Sequence, residues 1–473
     1  MPEREPSPHC CDGFTRAQAV RRVLQSGERA VPREWDPRMP LPAGAGIDRR
    51  RFLAGAAGGL ISVYGAERLG LTDRMLGDGI ARAASTRAPD SPILVSIFVQ
   101  GGLDGLSLLA PAGDPLYRKL RPTLAVAPQN GMTLREDPRL YWHPSAASLA
   151  TLHNAGKVMV FPSIGYTDPD MSHFTSRHYW EVGATDASLL TGWMGRYLDV
   201  AGSRDNPFQG LSMDGAMNPT LATQTAPTAA IDQPDNFNLY MNGLWGDSFN
   251  RSLATLTELG DIQRRSEDPA IAQVAQAASE VGAVRQALLP FVDAKGGPNY
   301  HSPVTYPTAT QTDFPQRLAG LAAMIAHGLP LRCVAISTDT QFDTHEAQAA
   351  TFTPGVKLIA DALLAFQTDL EARGIDRRVL VHVWSEFGRR ALENGSLGTD
   401  HGAAGVSLLI GSRVAGGMAG EFAPLNRLDV NGNQRETVDF RGVYCSLLEQ
   451  WLDHDAAAVI PEAHRFRRYT LLS

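Results

Sequence analysis

The chain has 473 residues, 43% of them apolar, with 43 Lys and Arg against 50 Asp and Glu and a formal net charge of −7. That length accommodates one large α/β domain or two ordinary ones around a substantial core. The acidic balance, with no basic run in the body, argues against nucleic acid as the main partner and against anionic lipid surfaces.

The first motif in chain order is Arg49-Arg50-Arg51-Phe52-Leu53. It matches the twin-arginine export pattern and is followed by a weakly apolar, Gly/Ala-rich run from Ala54 to Ala66. The run is too short and too rich in glycine to span a bilayer, and no later stretch reads as a permanent transmembrane helix. Ala81-Arg82-Ala83 before Ala84 offers a small-x-small cleavage site, although the charged segment Glu67 to Asp78 lies between. Cleavage and a retained N-terminal anchor both stay open. A basic start to an ordinary Ala/Gly helix is the plainer reading of the same residues. For residues 1–48 two readings also stand: translation from Met39, or a genuine extension in which Phe14, Ala17, Val20, Val23 and Leu24 recur at helical spacing. The expected division is an N-terminal extension (1–48), a twin-arginine signal region (49–83) and one α/β domain (84–473), exported to the periplasm, cell envelope or exterior. Cys333 and Cys445, the cysteines of that domain, lie in an apolar run and a helical pattern, and read as buried free thiols.

Pro92 to Val99 is a continuous apolar, β-branched run ending at Gly101-Gly102, as a buried parallel strand would be. Val158 to Phe161, Leu331 to Ser337, Val379 to Trp384 and Val406 to Ile410 repeat the pattern. Between them His143 to Gly156, Ser172 to Val182, Asp268 to Leu289, Phe314 to Gly328, Thr353 to Gly374 and Phe440 to Leu452 read as helices. In the fifth, Thr353 is expected to cap, Pro354 to fit the first turn and Gly374 to end it. Strands alternating with helices imply an α/β fold, a mostly parallel central sheet with helices on both faces. Residues 202–250 read as a long irregular insertion and 291–313 as an extended connection.

In open α/β sheets the ligand site lies beyond the carboxyl ends of the strands. Asp104, Asp343, His345, Glu386, Asp400 and His401 all belong at that edge. Asp343 and His345, two apart in an extended loop, point the same way, and hard N and O donors there suit a divalent metal. Taken singly, Asp343-Thr344-His345 and Asp400-His401 are equally turns in which aspartate caps the backbone. Ser172 precedes a helix, where backbone N–H groups favour a phosphate or sulfate, but serine is also a common cap. Among the arginines Arg118, Arg121, Arg389 and Arg390, Arg389 lies nearest the expected site and is a candidate oxyanion clamp. A Ser-His-Asp triad from Ser172 or Ser385 with His401 is conceivable but leaves Asp343 and His345 idle. Neither a dinucleotide fingerprint nor a P-loop is present.

Phe98-Val99-Gln100-Gly101-Gly102-Leu103-Asp104-Gly105-Leu106, Gly113-Asp114-Pro115-Leu116-Tyr117, Ser172-His173-Phe174, Phe342-Asp343-Thr344-His345, Ser385-Glu386-Phe387-Gly388-Arg389 and Gly398-Thr399-Asp400-His401-Gly402 occur in this order. As a set they resemble a family of twin-arginine-exported bacterial proteins of unknown function, distantly related to the alkaline phosphatase and sulfatase superfamily. The resemblance implies an alkaline-phosphatase-like α/β fold. Asp343 and His345 are similar to the superfamily's first metal-binding pair, His401 to its late histidine ligand and Ser172 to its nucleophile. Gln100 stands where an aspartate is usual, and Ser385-Glu386-Phe387-Gly388 where Ser-Asp-His-Gly is typical. The expectation is an exported hydrolase of small phosphate or sulfate esters. Its divalent metal (Zn, Mg, Mn or Ca) would be held by Asp343, His345, Glu386, Asp400 and His401, with Asp104, and Ser172 and Arg389 would be catalytic. The alternative is a non-enzymatic binding or assembly module with the same fold, and a metal-free serine hydrolase is a third reading.

Overall fold

The computed structural model describes residues 61–64, 73–86, 91–236, 246–263, 265–268 and 281–473. The twin-arginine motif and residues 1–48 lie outside them, as does much of the expected helix Asp268 to Leu289, of which 281–288 is helical.

Side-chain alternation in the strands divides the core in two. Ile93, Val95 and Ile97 pack into one apolar cluster, Leu94 and Phe98 into the other, and Val379, Val381 and Val383 are likewise separated from Leu380 and Trp384. Strands buried on both faces are those of a sheet covered on both sides. In chain order the strands are β1 (Ile61–Tyr64), β2 (Ile93–Phe98), β3 (Leu109–Ala110), β4 (Met132–Thr133), β5 (Tyr141–Trp142), β6 (Val158–Gly165), β7 (Gly210–Ser212), β8 (Thr228–Ile231), β9 (Cys333–Ser337), β10 (Val379–Trp384), β11 (Arg389–Glu393), β12 (Thr399–His401), β13 (Gly405–Ile410), β14 (Gly417–Met418) and β15 (Val438–Asp439). The central sheet has 10 strands in the order β1-β8-β7-β9-β2-β10-β13-β6-β14, with β15 also on β6. β8, β7, β9, β2 and β10 run parallel, as do β14 and β15 with β6, while β1 and β13 are antiparallel to their neighbours. The sheet is thus mixed and mostly parallel, as expected.

The main helices are α1 (Asp73–Thr86), α2 (Ala147–Asn154), α3 (His173–Val182), α4 (Phe314–His327), α5 (Gln348–Ala372) and α6 (Phe440–Gln450). Apolar residues of α2, α4 and α5 join one core cluster, and those of α3 and α6 the other. Cys333 and Cys445 are buried and free.

Within the span read as a targeting region, Ile61–Tyr64 is β1, paired with β8, and Asp73–Thr86 is α1, whose Ile80 is buried. Three expectations are corrected. Residues 202–250 are not wholly irregular, since they supply β7 and β8, whose residues are all buried. Helix α5 begins at Gln348 rather than Thr353, so Pro354 lies inside it. The backbone N–H groups of Ala347 and Gln348 donate to the carbonyls of Ser396 and Leu397, both at 2.9 Å, which anchors the start early. Gly374 follows the helix with a positive φ of 67°, the left-handed conformation that ends helices. By length and composition α5 is also long and apolar enough to cross a membrane, contrary to the expectation that no later stretch is. Half of its most apolar stretch is buried, and it packs on α2 and α4.

Because β6 and β10 run in the same direction and β13 opposes both, the ends of β2, β6, β9 and β10 and the start of β13 meet at one sheet edge. The site is built there.

Candidate metal centre

Gly101 and Gly102 turn the chain sharply as it leaves β2, with φ of 94° and 68°. A Cβ on Gly101 would lie 2.5 Å from the backbone nitrogen of Asp343, so only glycine lets the two loops touch. Beyond β10, Glu386 is 2% exposed and accepts from the Gly101 N–H at 3.0 Å. The hairpin β11–β12 returns the chain so that His401 sits opposite Arg389.

Four side chains converge. His345 Nε2 lies 3.0 Å from Asp343 Oδ1 and 3.0 Å from His401 Nε2. His401 Nε2 is 3.2 Å from Asp343 Oδ1, and His173 Nε2 is 3.3 Å from Asp343 Oδ2. His173, Asp343 and His401 each place a ligand atom within 4.8 Å of the others, a spacing that fits one metal ion.

The other ring nitrogens explain the arrangement. His173 Nδ1 meets Glu386 Oε1 at 2.7 Å, His345 Nδ1 meets Asp400 Oδ1 at 3.2 Å, and His401 Nδ1 meets the carbonyl oxygen of Met171 at 2.8 Å. Carboxylate and carbonyl oxygens only accept, so each Nδ1 donates its proton. In the neutral rings the three Nε2 atoms are then lone pairs aimed at one another and at a carboxylate. Such a cluster needs a cation or shared protons, and a carboxylate or carbonyl behind each histidine is the usual support of metal-binding imidazoles. The residues present therefore fit a metal ion.

Protons can stand in for such a cation between the rings and Asp343. Burial alone would lower the His173 pKa, but hydrogen bonds to Asp343 and Glu386 outweigh it and raise it to about 9. Asp343 is held far below the usual carboxylate range, against burial, by hydrogen bonds from His173, His345, His401 and Arg389. Glu386 is also lowered despite burial, mainly by His173, and Asp400 by Asn394 and His345.

Of the expected site residues, Asp343, His345 and His401 come together as candidate ligands. Glu386 and Asp400 stand one step back, orienting His173 and His345. Asp104 does not reach the cluster: it is 1% exposed, caps the turn Gly105–Leu108, and is paired with Arg121, with Ser107 and Gln348 each at 2.6 Å. Its assignment as a metal ligand is corrected for that reason. Arg389 is corrected as an oxyanion clamp. It is 1% exposed and donates to the carbonyls of Gly102 (2.8 Å), Thr399 (2.9 Å), Phe342 (3.0 Å) and Gly101, and to Asp343 (2.8 Å), leaving its fork committed to the protein. Gln100 turns its amide to the carbonyl of Thr338.

Ser172 occupies the N-cap of α3, yet its side chain makes no capping bond. Its neighbours Met171 and His173 both touch the cluster. The residue that sequence reasoning missed is His173. Its signal was the one used for Asp343 and His345, a histidine just beyond the carboxyl end of a buried strand.

Comparison with known proteins reaches this site from the family side. No curated protein matches the chain. Among solved structures, a protein in the alkaline phosphatase superfamily from Vibrio parahaemolyticus is similar at 10% identity, covering 84% of this chain and 78% of its own, with a TM-score of 0.33. PsFucS1 sulfatase from Pseudoalteromonas sp. is similar at 11% identity, covering 84% and 77%, with a TM-score of 0.33. The phosphonate monoester hydrolase SpPMH from Silicibacter pomeroyi is similar at 12% identity, covering 80% and 75%, with a TM-score of 0.31. Residues 219–434, which carry Asp343, His345, Glu386, Asp400 and His401, match the model of the family described as "Protein of unknown function (DUF1501)".

Proposed function

We propose that the protein is an exported, metal-dependent hydrolase of phosphate or sulfate esters. The observation that carries this reading is the anchoring of three Nδ1–H groups, which turns three imidazole lone pairs onto the Asp343 carboxylate. Three nitrogens and one carboxylate form a donor set suited to zinc rather than to the oxygen-preferring magnesium or calcium. A divalent ion held there supplies Lewis-acid polarisation of the ester and lowers the pKa of a nucleophile beside it.

The chain's own groups then divide the remaining work. Ser172 presents an uncapped hydroxyl as nucleophile: its oxygen forms the new bond to phosphorus or sulfur while the bond to the leaving alcohol breaks, the hydroxyl proton passes to that alcohol, and water then cleaves the seryl ester to restore the serine. The N–H groups at the start of α3 favour the anionic group. Arg389, bonded to Asp343, offsets the carboxylate's charge and fixes its direction. Export rests on Arg49-Arg50-Arg51-Phe52-Leu53, and Arg49→Lys/Arg50→Lys should leave the protein in the cytoplasm; unchanged export rejects that part.

The activity is tested with the ion-loaded protein on an aryl phosphate, a phosphodiester and an aryl sulfate. Turnover lost in Ser172→Ala with the ion retained is the expected result. A second reading, a non-enzymatic envelope module, is favoured by the withdrawal of Gln100 and Arg389 from the centre. An ion-loaded protein that cleaves none of the esters decides for that reading.

A further inference from the structure

Behind the metal centre lies a buried polar network that the proposed chemistry does not use. Asp104, Arg121, Gln348, Thr344 and Thr399 are each 5% exposed or less. The Gln348 side chain divides between two pairs of partners. Its amide nitrogen donates to Asp104 Oδ2 at 2.6 Å and reaches Ser107 Oγ at 3.2 Å. Its amide oxygen accepts from the Thr399 hydroxyl at 2.5 Å and the Thr344 hydroxyl at 3.1 Å.

The anionic Asp104 fixes which end of the amide faces which way, since only the N–H end can meet a carboxylate. Thr344 lies between Asp343 and His345, and Thr399 lies two residues before His401. One amide oxygen therefore ties together the two segments that carry the ligands. A backbone bond from Thr399 N–H to the Thr344 carbonyl at 3.0 Å runs alongside. Arg121, paired with Asp104, donates to the carbonyls of Ala391 at 3.0 Å and Arg390 at 2.9 Å, which holds the other strand of the hairpin.

We propose that Gln348, oriented by the Asp104–Arg121 pair, is a positioning residue of the metal centre. It sets the separation of loop 343–345 from hairpin strand 399–401, and so the approach of His345 to His401. This rests on the metal-site reading above.

The test compares the full chain with Gln348→Met, which keeps the volume and loses both sets of bonds. Gln367→Met, a buried glutamine on the same helix bonded to Glu371 and Ser412, is the control for general loosening of α5. Hydrogen exchange in the ion-free proteins and Co2+ titration with its visible absorption spectrum are the readouts. Gln348→Met should speed exchange of the Thr399 amide and weaken Co2+ binding tenfold to a hundredfold with an altered spectrum. Gln367→Met should change neither, whatever it does to melting. Parent-like exchange and affinity in Gln348→Met overturn the inference, as does an equal loss in Gln367→Met. If the parent binds no Co2+, the metal reading fails and takes the metal role of Gln348 with it, while the exchange arm still reports whether Gln348 clamps the two segments.

Discussion

His345 and His401, 56 residues apart in the chain, bring their Nε2 atoms to 3.0 Å. Asp400 and the Met171 carbonyl hold the opposite nitrogens as donors, so the facing atoms of the neutral rings are both lone pairs. Two lone pairs at that distance repel unless a proton or a cation lies between them. With His173 and Asp343 added, the cation reading accounts for the whole arrangement. A hydrogen-bond network alone would need protons shared among three rings.

Glu386→Gln keeps the size of a buried side chain and removes the charge that meets His173 Nδ1. The expected effect is a tenfold to hundredfold loss of metal affinity, as for other carboxylates that support a metal-bound histidine. Chelator competition measures it. Unchanged affinity would show that Glu386 is not what makes His173 a good ligand.

Arg389 is a structural cation at the base of the site. Replacing it with Lys leaves several backbone carbonyls and Asp343 without their planar fork, since an ammonium cannot reproduce that geometry. Each buried carbonyl left unsatisfied costs about 1–3 kcal/mol, read as a lower denaturation midpoint with intact secondary structure. A parent-like midpoint in Arg389→Lys contradicts the assignment.

His382 gives a pH dependence outside the metal centre. It is 1% exposed, donates from Nε2 to Ser407 Oγ at 2.9 Å, and has no partner at Nδ1. Burial pushes its pKa down from 6.5 to about 3. The unfolded chain takes up this proton below pH 6.5 and the folded chain does not until about pH 3. Its contribution is therefore fully present above 6.5 and is lost on acidification, by about 1.4 kcal/mol per pH unit across that window. His382→Gln, which retains an N–H donor for Ser407, should flatten the decline. Urea midpoints at pH 7.5 and 4.5 check it, and an equally steep fall in the variant would contradict it.

Much of this was legible in the sequence, for identifiable reasons. The strand expected at Val379 to Trp384 is β10, and the other long strands fall within a few residues of their apolar runs, because burial on both faces leaves an unbroken hydrophobic signal. β7 and β8 were hidden because they are only three and four residues long and sit among Pro, Asn and Asp. At the site, Asp343, His345 and His401 were readable from their place at strand ends. The division between ligands and supports was not, because whether Glu386 faces the centre or the back of His173 depends on how the Gly101-Gly102 turn packs. Arg389 misled for a similar reason: an arginine beside a site reads the same whether its fork faces substrate or five protein acceptors.

Elemental analysis of the purified full chain, beside His401→Ala and His173→Ala, tests the central claim most directly. The account predicts one divalent ion per chain, lost in both variants while the fold persists. A parent chain that holds no ion even after reconstitution, or variants that keep it, would contradict the metal centre.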